Sequence, residues 1–407
     1  MFRPALAFVF AAAVVAQAQP GGIQRGKVAR TDPDRPSVTL TVDGKDREFF
    51  LTTDTKVVGL DGKTTGDRLR GLKAGDEVLF KALPQNGKDV LIGLKAGGAN
   101  SAGPAPTFDS SKLRPLTELG REKYRGHYGG LYPGGTNDRP REHERAGLEL
   151  SRRVRPLDAA GRPDPAGKIV LLSVGMSNTS QVSQAFAVQL AKDTDRNAAL
   201  VFVNGAQGGM TARATRDPQD GGTGTRYWGV VDDRLKAAGV TAAQVQAVWM
   251  KQADAGPTQG FPAYAETLCD EMEDIARVVA ERFPNARLMY LSSRTYAGYA
   301  TTPLNPEPYA YESAFSVRWL IQRQLEGKAG LNFDPAKGAV RAPWLSWGPY
   351  LWANGSTKRA DGLFYTREDF AADGTHPAAG GQQKAAAELL RIFRTDPTTR
   401  PWFLKAP

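Results

Sequence analysis

Cysteine is nearly absent from this chain of 407 residues. Cys269 is the only one, so no disulfide can form within it, and a framework of bridges is excluded. In "YAETLCDEMEDIARVVAERF" it reads as a small buried residue on a helix face. Histidine is scarce as well, with His127, His143 and His376 alone. No Cys/His or carboxylate cluster shows metal-ligand spacing, so the sequence implies neither a metal nor an organic cofactor. After the first twenty residues there is no apolar run near the roughly 20 residues that a membrane-spanning helix needs, so no integral membrane segment is expected in the mature chain. Charge runs are missing too. The 53 Lys and Arg are scattered among 43 Asp and Glu, for a net charge of +10. That dispersal argues against nucleic acid as a partner and favours an anionic envelope or an acidic glycan as neighbour. The stretch "GGTGT" (221–225) lacks the Gly-Lys-Ser/Thr ending of a phosphate loop and reads as a Gly/Asp-rich loop.

What is present divides into segments. "MFRPALAFVFAAAVVAQAQP" places Arg3 before an apolar run and an Ala-Gln-Ala cleavage pattern, the layout of a signal peptide over 1–18. Export to the periplasm or the cell exterior follows from that reading. Residues 20–98 alternate in strand fashion, with Val38, Leu40 and Val42 before Asp43-Gly44 and then Phe49 and Leu51, a hairpin signal. Several short strands predict a small closed β-barrel of OB or SH3-like kind, an accessory module suited to envelope docking. Residues 99–112 are rich in Gly, Ala, Ser and Pro and read as a linker. From 113 to 407 a second domain is expected. There the continuous apolar strands "KIVLLSV", "AALVFVN", "VQAVWMKQ" and "ARLMYLSS" alternate with helical patterns. This predicts an α/β fold whose parallel sheet is covered on both faces, with chemistry outside the carboxyl ends of the strands.

Four features fall at those ends. Ser177 follows the first strand and precedes a helix, where orphan N–H groups and the helix dipole favour an anion, as a nucleophile that creates an oxyanion requires. Serine there serves equally as an ordinary N-cap. "VNGAQGGM" (203–210) supplies glycines after the second strand. Gln252, flanked by Lys251 and Asp254, is a side-chain donor at the end of the third. In "DGTHPAAGG", Asp373 lies three residues before His376, close enough to orient the imidazole as base for a serine; a surface turn would read the same way. Asn178, Trp344, Trp347 and Arg294 are candidate substrate contacts. The cluster Trp344, Trp347, Tyr350 and Trp352 could stack on sugar rings or fill the core. The turn "GGTNDRP" (134–140) offers contacts or salt bridges.

In this order and spacing, residues 168–393 resemble the SGNH hydrolases (GDSL esterases and lipases), nearest to the sialate O-acetylesterase-like branch through "GMSNTS". The resemblance implies a flavodoxin-like α/β/α sandwich, a Ser177–His376–Asp373 triad without cofactor, and an oxyanion hole of the Ser177 and Gly209 N–H groups. Asn204 leading to Gly209 matches the second block. The third block departs, with Ala253 where the family places asparagine and Gln252 one residue earlier as substitute donor. The implied activity is hydrolysis of O-acyl esters on carbohydrate. A weakened glycan-binding relative and an O-acyltransferase are the alternatives.

Overall fold

The computed structural model describes residues 24–42, 44–58, 60, 64–85, 88–96 and 108–405. The signal-peptide segment 1–18, Asp43 and most of the 99–112 linker lie outside them. The chain divides into two units, residues 1–103 and 104–407.

In the first unit, strands β1 (Gln24–Asp32), β2 (Ser37–Val42), β3 (Lys45–Val58), β4 (Glu77–Gln85) and β5 (Lys88–Ala96) close into a barrel of order β1-β2-β3-β5-β4. Val42 pairs with Lys45 across the β2–β3 turn, where Gly44 takes φ +75°. The alternating apolar residues point inward: Val38, Leu40, Phe49, Phe80 and Leu91 form the core, with Phe49 and Phe80 rings 4.7 Å apart. Helix α1 (Thr65–Leu69), started by a Thr64–Asp67 capping box, buries Leu69 against it.

The second unit opens with α2 (Leu116–Leu119), the two-residue strands β6 (Lys123–Tyr124) and β7 (His127–Tyr128), and α3 (Arg141–Ser151). Its centre is a parallel sheet of β8 (Ile169–Gly175), β9 (Leu200–Asn204), β10 (Val245–Lys251), β11 (Leu288–Ser292) and β12 (Trp344–Trp347), in the order β12-β11-β10-β8-β9. All four ladders are parallel. This is a doubly wound order, and it places a switch point at the β8 end. The connecting helices are α4 (Ser177–Ala191), α5 (Ala212–Thr215), α6 (Thr223–Ala237), α7 (Ala263–Arg282), α8 (Tyr309–Leu325), α9 (Ala379–Thr395) and α10 (Arg400–Phe403).

Period-two burial splits the strands between two cores. Ile169, Leu171, Trp249 and Tyr290 pack on α4, α9 and α10, while Val170, Leu172, Val248 and Leu291 pack on α6, α7 and α8. The result is a three-layer sandwich, as the apolar runs predict. Residues 221–225 differ in part from the expected loop: Gly221 and Gly222 precede α6, and Thr223, Gly224 and Thr225 form its first turn. Asp220 accepts from the N–H groups of Gly222, Gly224 and Thr225 and so organises that helix start.

Candidate active site

Ser177 stands where β8 gives way to α4. Gly175 is required two residues earlier because β10 passes close by. A Cβ at Gly175 would overlap the Lys251 carbonyl oxygen and Thr179, since Thr179 Oγ1 donates to that carbonyl at 2.6 Å. The neighbouring strand and Thr179 fill the space beside Gly175. Met176 is the extended N-cap and Ser177 the first helical residue, so Ser177 is not the cap. Its hydroxyl turns to His376, with Oγ 2.9 Å from Nε2.

The other side of the imidazole meets Asp373, with Nδ1 2.5 Å from Oδ2. Asp373 Oδ1 accepts the backbone N–H groups of Thr375 and His376, each at 3.0 Å. Burial by itself would raise the Asp373 carboxyl. The His376 side-chain bond, then the two backbone N–H groups, outweigh it and hold the acid well below the usual carboxylate range. An ionised carboxylate only accepts, so Nδ1 carries the hydrogen and Nε2 is left to receive the serine proton.

Two contacts seat this turn. Asn178 Nδ2 donates to Thr375 O at 2.9 Å, and Thr301 N donates to Asp373 O at 3.0 Å. Gly374, at φ +64°, lies so close to Tyr299 O that any Cβ would overlap it.

Ser177 N–H is the first of α4, and Gly209 lies exposed at φ +75° in the loop after β9. Neither N–H has a partner among the described residues. Asn204 ties that loop to α4 by donating to Ser180 O at 3.1 Å. Gln252 departs from expectation. Its Nε2 donates to Met210 O at 3.3 Å and to Thr215 Oγ1 at 3.1 Å, so both amide hydrogens are in use. It holds the loop that carries Gly209 and is not an oxyanion donor.

The four candidate substrate contacts are corrected together. Asn178, Trp344, Trp347 and Arg294 are 1%, 0%, 4% and 2% exposed, so none presents a face to a ligand. Trp344 stacks on His143, and Trp347 Nε1 donates to Leu131 O. Arg294 lies under the site, Nη1 4.0 Å from Met176 Sδ, and burial pulls its guanidinium down to about 10. Lys251 is buried as well, which draws its ammonium well below the usual lysine value. Within 134–140, Asn137 donates to Thr117 O and Arg139 pairs with Asp396, so the turn is structural.

The other histidines lie elsewhere. Burial pulls His143 down to about 4, and its Nε2 lies 2.7 Å from Leu345 O; His127 packs among Phe261, Phe315 and Trp319. A cavity of about 930 Å³ between α3 and residues 324–337 is not lined by Ser177, Asp373 or His376. The sequence reading missed the seating role of Asn178 and Thr301 and the buried acid Glu271. An acid among Leu268, Met272 and Ile275 on an apolar helix face was the available signal.

No protein-family model matches the chain, and no curated protein matches it. Solved structures are similar to its two parts. A lipase from a goat rumen metagenome is 10% identical over 55% of this chain and 97% of its own, at a TM-score of 0.33. A catalytic mutant of Axe2, an acetylxylan esterase from Geobacillus stearothermophilus, is 15% identical over 59% of this chain and 97% of its own, at 0.31. CusF with Ag(I) from Escherichia coli is 19% identical over 19% of this chain and 95% of its own, at 0.15.

Proposed function

We propose that the second unit is a serine ester hydrolase of SGNH type. The observation that carries this reading is the continuous relay Ser177 Oγ–His376 Nε2 at 2.9 Å and His376 Nδ1–Asp373 Oδ2 at 2.5 Å. His376 takes the serine proton as Oγ attacks the ester carbonyl, while Asp373 stabilises the imidazolium. The Ser177 and Gly209 N–H groups receive the oxyanion. The imidazolium gives its proton to the departing alcohol, and water, activated by the same base, releases the acid from the acyl-serine. With Gln252 engaged and Ala253 apolar, the hole has two backbone donors. The lack of one donor typically lowers kcat by about 10²–10³, so the expected enzyme is slow. The substrate class proposed is an O-acetylated glycan, met after export of the chain.

The test is hydrolysis of 4-nitrophenyl acetate and acetylated xylan by the full chain and by Ser177→Ala, with a fluorophosphonate probe to locate the acyl site. Turnover and a probe adduct on Ser177, both lost in the variant, are expected. Equal turnover by the two forms, or none by either, removes the hydrolase reading. Acetyl groups appearing on an added sugar would convert it to a transferase.

A further inference from the structure

The loop that carries Gly209 is clasped at its far end by three consecutive residues after β10. Gln252 holds Met210 O, Ala253 O accepts from Ala212 N at 3.3 Å, and Asp254 Oδ1 accepts from Arg213 N at 3.1 Å. Against this clasp lie two acids that the ester chemistry does not use. Asp254 is 5% and Glu271 1% exposed. Asp254 Oδ2 and Glu271 Oε2 are buried without a donor. An ionised carboxylate cannot donate, so two facing carboxylates satisfy neither oxygen, whereas one proton between them satisfies both. One cation spans the pair: Arg213 Nη2 lies 3.6 Å from Asp254 Oδ2, and its Nε lies 3.4 Å from Glu271 Oε1.

We propose that Asp254 and Glu271, sharing one proton and bridged by Arg213, position the Gly209 loop, and that loss of this proton releases it. With the proton in place the three groups sum to zero charge. Without it two adjacent negative charges face a single guanidinium whose side chain is 71% exposed and therefore well screened. The proton resides on Glu271, whose carboxyl is pushed up to about 8, first by burial and then by its hydrogen bond to Asp254 and the charge there.

Among the described residues, the neighbouring charged groups are engaged elsewhere. Arg216, just after α5, pairs with Asp274, which also binds Arg277. From α7, Tyr264 accepts from Asp254 N at 3.2 Å and from Asn305 at 3.1 Å. Arg323 of α8 goes to Asp270 and Glu273, and Lys328 also to Glu273. Arg294, behind Tyr264, acts on the Tyr264 phenol.

The catalytic half of the inference rests on the hydrolase reading; the structural half does not. The experiment compares the full chain with Glu271→Gln, and with Asp254→Asn should the first variant fail to fold. Two quantities are followed: kcat on 4-nitrophenyl acetate and amide exchange of residues 206–215, corrected for the intrinsic pH dependence. In the parent, kcat should fall about eightfold from pH 7.5 to 9, the loss of one proton at about 8, and exchange of the loop should quicken in the same range. Neither change should appear in the variant. Matching alkaline losses in parent and variant overturn the proposal, as does an exchange rate that ignores pH in both. If no form turns over ester, the hydrolase reading fails while exchange still decides whether the pair holds the loop.

Discussion

Asn178 Nδ2 donates to the Thr375 carbonyl at 2.9 Å, so the residue after Ser177 holds the residue before His376. The distance between hydroxyl and imidazole therefore depends on a buried amide side chain. Misplacement by about 1 Å can lower a rate by about 10². Asn178→Ala should lower kcat on 4-nitrophenyl acetate by about that factor while KM moves little. Asn178→Asp, which keeps the shape but loses the donor, should behave alike. A change confined to KM would instead make Asn178 a substrate contact.

Asp373→Asn removes the charge that fixes the imidazole tautomer, and kcat should fall by about 10⁴. It also gives an acid-stability signature. Asp373 is held below its unfolded value, so its stabilisation is present above about pH 3.9 and is lost as pH falls from there toward the folded value. Thermal melts from pH 6 to pH 2 should therefore show a smaller acid-side loss in the variant than in the parent. Parallel curves would mean that the carboxyl is not stabilised in the folded chain.

Gly374→Ala should distort the turn that carries acid and base, because the added methyl meets Tyr299 O and the backbone sits at φ +64°. A fall in kcat of about tenfold or more is expected, with a lowered melting temperature. An alanine variant with parental kcat would show that the 299–301 backbone gives way without disturbing His376.

Trp344 is a core residue, stacked on His143 and packed against Gly147. Trp344→Ala should destabilise the second unit by about 3–5 kcal/mol, and Gly147→Ala by about 1–3 kcal/mol through overpacking. Where either protein stays folded, KM for acetylated xylan should be unchanged. A raised KM with an unaltered melting temperature would return Trp344 to the binding surface.

The frame was legible because its signals are local. Uninterrupted apolar runs name β8, β9, β10 and β11, alternation names the barrel strands, and Asp373 and His376 lie three residues apart. Ser177 was placed by the strand-to-helix junction alone. What stayed hidden depends on distant packing. β12 reads as an aromatic stretch, since Trp344 and Trp347 would look alike on a surface or in a core. Gln252 sits at a strand end, and only the position of Met210 and Thr215 reveals that its amide is occupied. Glu271 lies inside an amphipathic pattern on α7, and its partner Asp254 comes from the segment after β10.

The Asp373–His376 turn fulfils most of its own hydrogen bonding, since one carboxylate anchors both the imidazole and two amides of the same turn. It behaves as a cassette plugged into the scaffold through two sockets, Asn178 and Thr301. Engineers could then retune the reach of the base by editing the sockets, leaving acid and imidazole as a preassembled cartridge.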